Sequence, residues 1–170
     1  MNFSQKDSDT EAALRARLLG LDVGSKTIGM AVSDPLGITA QGLDTIRRRN
    51  KRLDFQQLEG VIRHYGVVEI VVGNPLHMSG ASGVQAQRMA VFAEELRTRF
   101  GLPVHLWDER LSSAQANRLL RDAELSIQRR GEVVDRMAAV LILQSFLDAR
   151  SNRQGSPDTE WSNGSTTNDQ

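Results

Sequence analysis

The chain of 170 residues contains no cysteine, only three histidines and no long hydrophobic run. Without cysteine, a disulfide framework, a thiolate metal site and a thiol nucleophile are all excluded. The longest apolar stretch, 137–143, is far shorter than the roughly 18 residues that a membrane helix needs. Residues 1–11 are polar and do not resemble a signal peptide. We therefore expect a cytoplasmic protein that does not bind membranes.

The charged residues show no excess of either sign, with 21 basic and 21 acidic side chains. Such a balance gives no overall attraction to nucleic acid, so any nucleic-acid binding must come from a local patch. The hydrophobic share of 39% is ordinary for a globular protein, and the length suits one α/β domain. We expect that domain at 17–150, between a flexible segment at 1–16 and a disordered tail at 151–170.

The most informative stretch is 18–34, which reads LLGLDVGSKTIGMAVSD. Two β-favouring runs, 18–23 and 27–33, flank Gly-Ser-Lys, and this pattern predicts a tight hairpin. Asp22 is the one acid in the first run, and an ionised carboxylate in a strand is costly to bury unless a metal or hydrogen bonds compensate it. An equally consistent interpretation is that Asp22 ends the strand by bonding the backbone of the turn. The second run alternates so that small side chains share one face: Thr27, Gly29, Ala31 and Ser33.

The rest of the chain predicts further strands and helices in alternation. Further strands are expected at 38–46, 67–72 and 103–107. The first predicted helix includes 58–65, the second ends at about residue 100, the third is capped by Ser112 or Ser113, and the last spans about 132–149 after an irregular stretch at 125–131. Two successive hairpins make an antiparallel meander, and the β-branched run at 67–72 is typical of a buried parallel strand. The predicted fold is α/β, with a mixed five-stranded sheet and helices on both faces.

A basic run occupies 47–52, with five positive charges in six positions just before a predicted helix. Such runs are usually solvated turns. Positive charge at a helix start also opposes the helix dipole, so a role in binding phosphate groups is the competing interpretation.

Three acids stand at positions where chemistry is expected. Asp22 lies in the middle of the first strand, Glu109 belongs to the Asp-Glu-Arg triplet that directly follows the last predicted strand, and Asp135 lies in the first turn of the predicted final helix. A surface salt-bridge cluster would also explain Glu109, and the helix dipole alone would explain Asp135. If the first and last strands are neighbours, the acids can converge at one edge of the sheet. Converging carboxylates favour Mg²⁺ or Mn²⁺, and two such ions are typical of phosphodiester hydrolysis.

Four motifs, DVGSKTIGMAVSD, GNPLHMSGASG, WDERLSS and VVDRMAAVLILQSFLD, follow one another with the spacing of the YqgF (RuvX) family, which the chain resembles over about 18–149. The resemblance implies a ribonuclease H-like fold related to RuvC resolvases. It also implies a metal-dependent endonuclease that processes the 5′ end of pre-16S rRNA. On this basis the catalytic, metal-binding acids are Asp22, Glu109 and Asp135. Phosphate contacts are expected from Lys26, Arg47, Arg48, Arg49 and Arg110.

Three positions depart from the family pattern, which often has Arg at Thr27, usually has Leu at Asn74 and is more basic near Glu132. These departures leave the acids intact and bear on how substrate is held. A resolvase acting on branched DNA is one alternative, and it would need a two-fold dimer, whereas an RNA-processing enzyme could be a monomer. A phosphotransfer domain is another, because a DxG turn also occurs in actin-like ATPases, which need two such domains. A non-catalytic RNA-binding module is the third.

Overall fold

The computed structural model of the protein describes residues 16–75, 81–108 and 127–154. Five strands and three helices make up this part of the chain. The strands are β1 (Arg17–Val23), β2 (Thr27–Ser33), β3 (Ala40–Arg47), β4 (Val67–Asn74) and β5 (Val104–Asp108). The helices are α1 (Lys51–Tyr65), α2 (Ala81–Phe100) and α3 (Ile127–Gln154). The predicted flexible segment, apart from Ala16, the predicted helix capped by Ser112 or Ser113, and the tail from 155 onward lie outside the described residues.

The strands form one sheet in the order β3-β2-β1-β4-β5. The first three are antiparallel neighbours, and β4 and β5 continue the sheet parallel to β1. The predicted mixed five-stranded sheet is confirmed. The first and last strands are not neighbours, because the crossover through α1 places β4 against the open edge of β1, between β1 and β5. The carboxyl ends of β1, β4 and β5 nevertheless share one edge, since the three strands are parallel.

Two cores lie on opposite faces of the sheet. The larger core packs alternate residues of β1, namely Leu19, Leu21 and Val23, against α1 and α2. The smaller core packs Leu18 and neighbouring strand residues against the apolar stripe of α3: Ala139, Ile142, Leu143 and Leu147. Since side chains alternate along a strand, Asp22 faces α3 with Leu18 and Gly20.

Helix α3 lies close to the sheet because small residues line its contact surface. A Cβ atom on Gly20 would be 2.7 Å from the Cβ of Leu143, and one on Gly42 would be 2.5 Å from the Cγ of Arg136. The predicted strip of small side chains on β2 is on this face, with Ala31 in the smaller core. Helix α3 can therefore approach the sheet closely because positions 20 and 42 are glycines, which have no side chain.

The bounds of α3 differ from the sequence prediction at both ends. The helix begins at Ile127, so the prediction of irregular structure up to Gly131 is wrong. Glutamine and arginine at 128–130 are good helix formers, and one interior glycine costs only about 1 kcal/mol. The helix continues to Gln154, so residues 151–154 are helical and do not belong to a disordered tail.

The helices of the described residues include none that is long and apolar enough to cross a membrane.

Helix α1 is capped at both ends. The side chain of Asn50 accepts a hydrogen bond from the amide of Leu53 at 3.0 Å. Gly66 takes the left-handed conformation, with φ of 64°, and its amide donates to the carbonyl of Ile62. Because β3 ends opposite the start of β2, the start of α1 lies at the sheet edge where β1 ends.

Candidate active site

Asp22 occupies the carboxyl end of β1, at the face covered by α3, and is partly buried. Its cross-strand partner on β2 is Gly29. The β1–β4 pairing ends at Leu21 and Val72, so Gly73 is the β4 residue beside Asp22. Glycine has no side chain, and the carboxylate therefore has a glycine on each side in the sheet. The two neighbouring strands therefore place no side chain directly beside this acid at the sheet edge.

The other two predicted acids are only partly described. Glu109 and Arg110 lie outside the described residues, and for Asp135 the backbone in α3 is described but the side chain is not. Within the described part of the chain, no three His, Cys, Asp or Glu side chains form a group that could hold a metal ion. The three-acid site therefore stays a prediction.

The helix dipole does not explain Asp135. The prediction that this residue lies in the first turn of its helix is wrong, because α3 begins eight residues earlier, at Ile127. The favourable effect of a helix N-terminus on an anion falls off within the first turn. A favourable interaction with the helix dipole therefore does not account for an acidic residue at position 135.

Most of the predicted phosphate-binding residues lie at the same edge as Asp22. The amide of Arg48 donates to the carbonyl of Lys26 at 2.9 Å, which joins the β1–β2 turn to the end of β3. Arg47 is the cross-strand partner of Thr27, and Arg49 immediately precedes the N-cap of α1. The positive run and the turn after Asp22 thus form one basic cluster, and Arg110 is the predicted member that is not described.

Within this cluster, the guanidinium of Arg48 makes intramolecular contacts. Its Nε donates to Asp54 at 3.1 Å, and its Nη1 donates to the carbonyl of Gly24 at 2.8 Å. Asp54 is 2% exposed and also accepts from the amide of Arg49 at 3.2 Å. Arg48 therefore connects the turn that follows Asp22 to the first turn of α1. The predicted contact of Arg48 with a phosphate group of the substrate stays a prediction.

We expect the free energy of unfolding of the Arg48→Met variant to be about 2 kcal/mol lower than that of the wild type, because the buried carboxylate of Asp54 would lose its charged partner. Chemical denaturation monitored by circular dichroism measures this difference. The Arg48→Met/Asp54→Asn double variant should regain part of the lost stability, since its buried side chain no longer carries a charge. Additive losses in the two single variants would contradict the coupling.

One polar pair at this edge was not identified as a site from the sequence. Asn74 ends β4 and is paired with Asp108 at the end of β5. The Oδ1 atom of Asn74 is buried and has no hydrogen-bond partner among the described residues. From the sequence, Asn74 is a departure from the family pattern that directly follows a buried strand run, but its pairing with Asp108 depends on the register between β4 and β5.

A second polar cluster on the α3 face lies nearer the start of β4. Glu69 accepts from Arg150 at 3.0 Å and is 2.9 Å from the Nε2 of His105. Burial by itself would raise the pKa of Glu69, but the hydrogen bonds with His105 and Arg150 outweigh it and hold the pKa below the ordinary value. This cluster ties α3 to β4 and β5 and does not include Asp22.

A groove between two helices lies on the other face of the sheet from Asp22. It has a volume of about 870 Å³ and lies between α1 and α2, where Phe55 and Val91 are among its lining residues. Asp22 faces α3 on the opposite side of the sheet. The geometry at the edge of the sheet, and not this groove, therefore defines the candidate site.

Comparison with protein families and curated proteins finds close relatives. Residues 16–149 match the RuvX family, described as Holliday junction resolvase. A protein of Koribacter versatilis (strain Ellin345) named "Putative pre-16S rRNA nuclease" is 55% identical over 139 residues, which are 82% of this chain and 91% of the relative. A protein of Moorella thermoacetica with the same name is 54% identical over 132 residues, 78% of this chain and 94% of the relative.

Solved structures give more distant similarities. Thermus thermophilus RuvC in complex with a Holliday junction substrate aligns with a TM-score of 0.49 and 16% identity over 80% of this chain and 96% of that chain. The fowlpox virus Holliday junction resolvase aligns with a TM-score of 0.47 and 11% identity over 78% of this chain and 99% of that chain. Both are far less similar in sequence than the two curated relatives.

Proposed function

The chain belongs to the RuvX family, and from that premise we propose that it is a metal-dependent endonuclease that processes the 5′ end of pre-16S rRNA. Two relatives that are more than half identical carry a pre-16S rRNA nuclease name. The observation that carries the proposal is the position of Asp22, an acid between two glycines at the carboxyl edge of the sheet, beside the basic cluster. Open α/β sheets bind their ligands at this edge.

We propose that Asp22, Glu109 and Asp135 hold Mg²⁺ or Mn²⁺, with two ions bound. The donor set fits these metals, because it consists of hard carboxylate oxygens and the chain has no cysteine. The glycines beside Asp22 place no side chain from the neighbouring strands against its carboxylate. Such ions would supply an activated water and stabilise the leaving oxygen of the cleaved phosphodiester.

Backbone placement supports the inclusion of Asp135. Along β3, from Ala40 to Gly42, the contacts on α3 move from Gln144 back to Arg136, so α3 runs opposite to β3 and β1. Residue 135 precedes Ala139, which lies over Gly20, by about 6 Å of helix. Asp22 follows Gly20 by about 7 Å of strand. The helix and the strand thus bring positions 135 and 22 to the same level.

The residues of the chain would divide the work between binding and chemistry. Lys26 and the arginines at the edge would bind phosphate groups and place one strand of nucleic acid across the end of β1. The carboxylate of Asp22 would not be a nucleophile, since hydrolysis in this arrangement uses water. The partly buried site around Asp22 would strengthen the electrostatic interactions with the substrate.

Cleavage of two substrates tests this function. An RNA carrying the 5′ leader of pre-16S rRNA and a four-way DNA junction are incubated with the protein in Mg²⁺, Mn²⁺ or EDTA. We expect cleavage of the RNA with either metal and none in EDTA. Metal-dependent cleavage of the junction alone would favour the resolvase activity in the family description. An unchanged rate in EDTA would contradict metal dependence.

A further inference from the structure

The cations of the basic cluster differ in their contacts within the protein. Arg48 is bonded to Asp54 and Gly24, and Lys51 forms an ion pair with Glu95 on α2. Both of those acids belong to the helical layer on the opposite side of the sheet from α3. A residue that contacts a phosphate near Asp22 has to lie on the α3 face instead.

An irregularity in β3 determines which arginine lies on that face. Ile46 pairs with Ile28 and Leu43 pairs with Met30, so two β3 residues, Asp44 and Thr45, stand opposite the single residue Gly29. This is a β-bulge, in which an extra residue reverses the alternation of the strand.

The reversal is visible in the side chains on either side of the bulge. A Cβ on Gly42, before the bulge, would meet the side chain of Arg136 of α3, and Asp44, the first bulge residue, accepts from the guanidinium of Arg136. Even-numbered residues therefore lie on the α3 face up to Asp44. After it, Ile46 is 3% exposed in the core on the other face. Arg47 is therefore on the α3 face, and without the extra residue it would be on the opposite one.

Arg47 also lies within reach of the site. Asp22 pairs with Gly29, and Thr27, which pairs with Arg47, is two residues further along β2 on the same face. Two strand spacings and two residues of rise separate the Cα atoms of Asp22 and Arg47 by about 12 Å. On this face of β2, only Gly29 and the short side chain of Thr27 stand between them.

We propose that Arg47 is the phosphate-binding arginine that positions the nucleic-acid strand against Asp22, and that the β-bulge at Asp44 and Thr45 directs it there. Arg48, next in the sequence, holds the turn in place. This inference rests on the proposed function, because it names the residue through which the same site holds its substrate. A guanidinium suits this task, since it can bond two phosphate oxygens at once.

Binding of the pre-16S leader RNA tests the proposal in an Asp22→Asn background, in which the RNA is not cut. We expect Arg47→Gln to weaken binding roughly tenfold. The slope of log K against log salt should fall by about 0.7 to 0.9, the change for one lost phosphate contact. Arg63→Gln is the control, because Arg63 is an exposed arginine on α1 paired with Glu59. It should change neither quantity.

A cross-strand exchange separates the position of the charge from the identity of the residue. In the Arg47→Thr/Thr27→Arg variant the guanidinium moves one strand closer to Asp22 on the same face, and we expect binding within about threefold of the parent protein, with the salt slope restored. In an active Asp22 background, Arg47→Gln should raise KM with kcat little changed, as for a residue that binds substrate and transition state equally.

The outcomes distinguish this proposal from the proposed function. Unchanged affinity and salt slope in Arg47→Gln would overturn the role of Arg47, even if cleavage depends on Asp22. Failure of the exchanged variant to recover binding would also overturn it. If the wild type cuts no substrate with either metal, the nuclease function fails, whereas the binding measurements still decide whether Arg47 holds phosphate.

Discussion

Replacing Asp22 with asparagine should abolish cleavage while leaving the fold intact. The substitution keeps the shape of the side chain but removes a charge that we propose holds the metal ions. Metal ions supply several kcal/mol of transition-state stabilisation, and each 1.4 kcal/mol corresponds to a factor of ten, so we expect a loss of roughly 10³-fold or more in kcat. Single-turnover cleavage of the leader RNA in Mg²⁺ measures it.

The matched control is Asp148→Asn, which removes an exposed acid on α3 whose side chain accepts from Gln144 at 2.9 Å. This variant should cleave at the wild-type rate, because Asp148 is near the far end of the helix. Circular dichroism should show native structure in both variants. A folded Asp22→Asn protein that cuts as fast as the wild type would disprove the proposed role of Asp22.

Replacing Gly20 with alanine should produce the largest loss of stability. The added Cβ would be 2.7 Å from the Cβ of Leu143 and 3.2 Å from the carbonyl oxygen of Ala139. Neither atom is the flexible end of a side chain, so α3 would have to move away from β1. Overpacking of this kind costs about 2–3 kcal/mol, which corresponds to a decrease in Tm of roughly 5–10 °C.

A second glycine provides the control for that prediction. Gly60 lies within α1, and a Cβ there would have no atom within 4 Å. We expect Gly60→Ala to raise the free energy of unfolding by about 0.5–1 kcal/mol, since alanine is the better helix former. Differential scanning calorimetry of both variants compares the two effects. If Gly20→Ala proved as stable as the wild type, the close packing of α3 on β1 would not require glycine at position 20.

Much of the fold could be predicted because its signals are local. The Gly-Ser-Lys turn between two β-favouring runs predicted the hairpin of β1 and β2, and the β-branched run at 67–72 predicted the buried strand β4. The start of α3 was missed because Gly131 and the polar residues around it obscure the apolar pattern. The helix there is decided by propensity and by packing further along the chain.

The candidate site was less predictable, because its geometry depends on contacts between distant residues. Alternation along β1 was enough to single out Asp22. The β-bulge that places Arg47 on the α3 face depends on the register between β2 and β3, and no residue type in 44–45 indicates it. The contacts of Arg48 with Asp54 and Gly24 likewise involve a turn and a helix that only the folded chain brings together. The five basic residues at 47–52 therefore cannot be distinguished in the sequence, although they differ in their contacts and in the face of the sheet on which they lie.

The docking of α3 has a consequence for the newborn protein. The ribosome releases a chain from its N-terminus at roughly 5–20 residues per second, and α3 is the last described element to emerge. Before then the sheet can form its core with α1 and α2, but Leu18, Ala31 and Val71 have no cover and position 135 has not yet met position 22. Because the proposed catalytic site includes position 135, we expect RNA cleavage to begin only after the final helix has been synthesised and covers this face of the sheet.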